Sequence, residues 1–172
     1  MSDMQERPPR RRGGCGRRLL IFVLIIAAIL ALGWGFVARP IRVPGDARDM
    51  SPALRPGARV WLDKLSYHIL PPHRGDIVAV ASPSTGGGLR VARIVALPGD
   101  AVSARDGKLL IDGAAVAESY AHGSLPGSFE PIRVPQAHYF VLPDQRAHAP
   151  HNPRTVLVSR GAIIGKVVPP GA

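Results

Sequence analysis

The sequence predicts an all-β domain of antiparallel sheets carried on a single N-terminal transmembrane helix. Three observations predict it. Residues 19–38, LLIFVLIIAAILALGWGFVA, run without a charge or a strongly polar side chain. Beyond Pro40 the apolar residues fall into short Val/Ile/Leu-rich runs, several with the two-residue spacing that half-buried strands require. The 18 prolines and 19 glycines of the 172-residue chain are spread between those runs, which favours many turns over long helices.

Taken in order, residues 1–18 hold six arginines (Arg7, Arg10, Arg11, Arg12, Arg17 and Arg18) among Pro and Gly, with nothing to bury, and read as a disordered basic tail. The single cysteine, Cys15, lies in that tail as a passive thiol, so no internal disulfide can staple the fold. At about 1.5 Å of rise per residue, a helix over 19–38 reaches about 30 Å, the thickness of a bilayer's hydrocarbon core. A cleaved signal peptide fits less well, because its apolar region is usually only about 7 to 15 residues and "FVA" is a poor small-x-small site. The six arginines precede the span whereas only Arg39 and Arg42 closely follow it, so the tail is expected in the cytoplasm and residues 39–172 outside. Trp34 and Phe36 fit an interfacial anchor at the outer end.

In the outer domain, strands are expected within 58–65, 76–82, 89–97, 101–116, 138–144 and 162–168, with RDGKLLIDGAAV as a hairpin and 82–88, SPSTGGG, as a loop tip. The formal charge of +10 first suggests nucleic acid, but the six arginines of the tail, against Asp3 and Glu6, supply four of those charges. Residues 39–172 hold sixteen basic and ten acidic side chains in no basic stripe, which argues against a nucleic-acid partner.

Five motifs follow in order behind the span: VPGDARDMSPALRPGARVWLDKLSY, RGDIVAV, RVARIVALPGDAV, DGKLLIDGAAVAESY and YFVLPDQRAHAPHN, closed by IIGKVV. In sequence, order and spacing, over about residues 19–168, they resemble the type I signal peptidases, membrane-anchored serine endopeptidases that remove signal peptides. The resemblance implies a signal-peptidase-like β domain, a bacterial inner-membrane location, no cofactor, and a Ser/Lys dyad. A serine there is activated by a lysine whose pKa burial has lowered.

Mapped on the first motif, Met50, Pro52 and Leu54 match and Asp49 falls on the nucleophile position, with two extra residues between Pro44 and it. On RVARIVALPGD, Arg93, Leu97, Pro98, Gly99 and Asp100 match and Ala92 falls on the base position. In the third motif Asp144 and Arg146 remain, while Pro143, Gln145, Ala149, His151, Asn152 and Pro153 depart from the pattern. Losses gather at the chemistry and retention at the fold, so a non-catalytic relative is expected. It would bind signal peptides or secretion machinery through Met50, Pro52, Arg93, Asp144 and Arg146.

Two alternatives stand beside it. An active peptidase would use Ser51 and an unidentified base; a structural envelope protein would bind no peptide. Arg90 and Arg93 flank Ala92 but cannot accept a proton. Lys64, Lys108 and Lys166 belong to structural motifs. His148 and His151 are possible bases, and with Asp144 they form a D-x-x-x-H-x-x-H run, read as surface residues and not as a metal site. His68, His73, His122 and His138 read as surface or turn residues. Asp49 is expected to pair with Arg48 or Arg93, or to cap its turn.

Overall fold

The structure, a computed structural model, describes residues 19–28, 38–43, 47–82 and 88–169. The basic tail, Cys15, Trp34 and Phe36 lie outside these residues, as do 83–87 of the expected loop tip. The chain divides into two units, residues 1–36 and 37–172.

In the first unit, residues 19–28 form helix α1 with its side chains exposed. No helix among the described residues is long and apolar enough to cross a membrane. Positions 29–37 of the expected span lie outside the described residues, and its last residue, Ala38, is corrected: it opens a strand.

Among the described residues, the second unit holds eleven strands in two antiparallel sheets. They are β1 (Ala38–Arg42), β2 (Arg59–Asp63), β3 (Ile77–Ser82), β4 (Gly88–Ala96), β5 (Ala101–Arg105), β6 (Lys108–Ile111), β7 (Ala114–Ala115), β8 (Phe129–Arg133), β9 (His138–Leu142), β10 (Leu157–Ser159) and β11 (Ile163–Val168). A one-turn helix, α2 (Ser66–Ile69), follows β2. The seven-stranded sheet runs β1-β2-β11-β3-β4-β9-β10 and the four-stranded sheet β7-β6-β5-β8.

The segment 101–116 resolves into three strands because it contains two Asp-Gly turns. Asp106 and Asp112 (φ 51° and 52°) and the glycines after them (φ 73° and 81°) take the paired left-handed conformations of two-residue hairpin turns. Strands β1, β8 and β10 were not expected from the sequence. All three are sheet edges, and β1 and β8 carry Pro40 and Pro131, which edge strands tolerate because one row of backbone donors is unpaired there.

The large sheet is buried on both faces, which is why IVAVA and RIVA read as continuous apolar runs. Ile77, Ala79 and Val91 pack with Met50, Leu54 and Leu62. Val78, Val80, Ala92 and Ile94 pack with Tyr67, Tyr139, Val158 and Ile163. A third cluster, with Val95, Val102, Leu109, Phe140 and Val156, joins the two sheets. Gly165 in β11 is required by a close approach, since a Cβ there would meet the carbonyl oxygen of Asp63 at 2.5 Å.

Candidate functional site

β4 is the backbone of the site. β3 pairs with it from Gly88 to Arg93, but β9 pairs with it only at Arg93, Ile94 and Ala96. Among the described residues, Gly88–Ala92 therefore has a ladder partner on the β3 side alone, leaving a free strand edge. The 3-10 turn Ala47–Met50 packs against this strand. Its place is set by Met50, which is fully buried beside Val91, and by the backbone N–H of Gln145 donating to the Asp49 carbonyl at 2.8 Å.

Asp49 Oδ1 lies 2.9 Å from His148 Nδ1, with both side chains partly exposed. The expected pairing of Asp49 with Arg93 is thus corrected. Arg93 is committed elsewhere: its Nε and Nη2 donate to the two oxygens of Asp144 at 2.8 and 2.6 Å, and its Nη1 donates to the Gly75 carbonyl at 2.8 Å. Burial alone would lower the Arg93 pKa, but the hydrogen bonds and charge of Asp144 outweigh it and raise it. The D-x-x-x-H-x-x-H run is not assembled as a ligand set, because Asp144 turns to Arg93 while His148 turns to Asp49.

Behind this pair lies a second buried layer. The Arg93 guanidinium stacks 4.2 Å over the Tyr120 ring, and Tyr120 Oη donates to Glu118 Oε1 at 2.9 Å. Arg146 Nη2 donates to the same oxygen at 2.6 Å, and its Nη1 to the Pro143 carbonyl. Burial first, then the negative charge of Glu118, pushes the Tyr120 phenol up to about 12. Tyr120 and Glu118 escaped the sequence reading because only folding brings "AESY" against the third motif.

Of the residues read as binding contacts, Met50 and Asp144 are 0% exposed and Arg146 2%. That part of the expectation is corrected: these three hold the site's walls and are closed to a ligand. Pro52 and Ser51 are exposed beside Asp49, and Arg93 is half-buried. Ala92 is buried with Val78 and Tyr139. Two residues before it on the same face of β4, Arg90 is half-buried; burial lowers its pKa and the nearby charge of Asp49 partly offsets that. Lys166 pairs with Asp76 at 2.8 Å, while Lys64 and Lys108 are exposed.

The site is thus an open strand edge in a pair of antiparallel sheets, beside a half-buried Arg93 held by a fully buried Asp144. The comparisons name its family. The family model "Signal peptidase, peptidase S26" matches residues 16–170. The chain is 32% identical over 152 residues to signal peptidase I of Leptolyngbya laminosa, covering 83% of this chain and 73% of that one. It is 34% identical over 134 residues to signal peptidase I of Bacillus licheniformis, covering 72% and 70%. Across the bacterial signal peptidase I relatives the matched stretch spans 66% to 78% of their length. A signal peptidase I structure from Enterococcus faecalis V583 aligns at 27% identity and a TM-score of 0.49, covering 58% of this chain and 99% of that one. This chain belongs to the signal peptidase S26 family.

Proposed function

We propose that this member of the family holds signal peptides of secretory preproteins without cutting them, anchored in the bacterial inner membrane with its N-terminus in the cytoplasm. The observation that carries the reading is the contact between Asp49 and His148. At the position expected for the serine stands a carboxylate, which has no hydroxyl to act as the nucleophile and is already engaged by His148. At the position expected for the lysine, Ala92 offers a buried methyl group and no base. The free edge of Gly88–Ala92 supports binding, because strand addition needs backbone hydrogen bonds and no nucleophile.

One contact also favours the rival reading. If Ser51 is a relocated nucleophile, His148 is the imidazole that the fold brings to its loop. The two readings separate in one experiment: a preprotein with an Ala-x-Ala signal is incubated with the full-length protein in detergent, with Ser51→Ala and His148→Ala beside it, and products are read by mass spectrometry. No product, with retained binding of the signal peptide, supports the holding function. Product lost in both variants overturns it in favour of a Ser/His peptidase. Neither cleavage nor binding leaves a structural role in the envelope.

A further inference from the structure

Resting on the peptide-holding reading, we propose that the groove selects a carboxylate, carried by an extended peptide lying on the free edge of β4 and received by Arg90. A peptide added to Gly88–Ala92 would send every second side chain to the face of β4 that carries Arg90 and Ala92. On that face lies a cavity of about 620 Å³, lined by Arg90, His138, Thr155 and Ser159 with Leu157 and Val158 among its apolar walls. Its lining holds two basic groups and two hydroxyls but no acidic side chain. The cavity meets β4 at Arg90, two residues before Ala92, and its wall residue Val158 shares a core cluster with Ala92.

The cavity's charge is set locally. Arg90 feels the carboxylate of Asp49, but Asp49 is also engaged by His148. A guanidinium presents five N–H donors in a planar fork, and a carboxylate is the group in a peptide that fills two of them in parallel. Half-burial of Arg90 strengthens such a contact, because less water competes for the donors. His138, expected from the sequence to be a surface or turn residue, is instead half-buried in β9 at the cavity wall.

A peptide can supply the carboxylate from its C-terminus or from an acidic side chain, and four probes distinguish these sources. Fluorescein-labelled Ala/Val octapeptides are prepared with a free C-terminal acid, as the C-terminal amide, as the amide with one internal Asp, and as the same amide with Asn. Binding to the full-length protein in detergent is followed by anisotropy. At least one carboxylate peptide is expected to bind about tenfold more tightly than its neutral counterpart; which one does so names the source. Arg90→Gln should remove that preference, so that acid and neutral peptides bind alike, whereas Arg90→Lys should retain part of it, with melting curves confirming that both variants fold. Equal binding of all four peptides, or a preference that survives Arg90→Gln, overturns carboxylate selection while leaving peptide holding intact. Absence of binding by all four overturns both.

Discussion

Asp49 and His148, separated by 99 positions in sequence, meet through a 2.9 Å contact between Oδ1 and Nδ1. The contact joins the turn before Ser51 to the turn that follows β9, and the Gln145 N–H donating to the Asp49 carbonyl joins the same two turns through the backbone. Because the backbone bond remains when the side chains are changed, His148→Ala should alter stability by no more than about 1 kcal/mol, as is usual for exposed polar side-chain pairs. Urea denaturation checks this. A larger loss would mean that the side-chain contact holds the loop.

Asp49→Ser alone should yield no cleavage. It supplies a hydroxyl, but Ala92 supplies no amine, and a serine without a base is a poor nucleophile. Mass spectrometry of a preprotein digest tests it; product from this single variant would show that His148 or another group already serves as base.

The Arg93 and Asp144 pair is a different case, because Asp144 is fully buried and receives two hydrogen bonds. Asp144→Ala leaves the guanidinium without its counter-charge and should cost about 3 to 5 kcal/mol, the range for breaking a buried pair from one side. Chemical denaturation measures the loss. A cost below about 1 kcal/mol would show that water reaches Arg93 freely.

Tyr120 should remain protonated through pH 10. Burial, the charge of Glu118 and the hydrogen bond to it raise its pKa to about 12. Burial together with Asp76 likewise pushes Tyr67 up, above the usual phenol range. Glu118→Gln removes the negative charge and should bring the Tyr120 titration down. Ultraviolet difference spectra, compared with those of Tyr120→Phe, isolate this phenol from the other two tyrosines.

Acid should weaken the β domain from the α2 side of the large sheet. For both Asp63 and Asp76, burial tends to raise the pKa, but hydrogen bonds from Ser66 to Asp63, and from Lys166, the His73 N–H and Tyr67 to Asp76, outweigh it and hold both carboxyls below their ordinary value. The unfolded chain therefore binds protons first as pH falls. Their contribution is complete above about pH 4 to 5 and is lost as pH drops through the lowered folded values. Thermal melts from pH 7 to pH 2 should show it; Asp76→Asn should flatten the acid limb.

Much of this architecture was legible in the sequence, for local reasons. The turns at Asp106-Gly107 and Asp112-Gly113 need only two residues able to take positive φ, and the interior strands β3, β4 and β11 announce themselves by apolar runs. The motifs around Met50, Arg93 and Asp144 likewise carried the family. The edge strands β1, β8 and β10 were not legible, since two of them contain proline and the third is only three residues long. Tertiary structure alone decided the partners: His148 and not Arg93 for Asp49, Asp144 for Arg93, Tyr120 stacked beneath it, and Met50 closed into the core. Sequence spacing constrains which face of a strand a side chain takes, but which distant loop comes to meet it depends on how the two sheets pack.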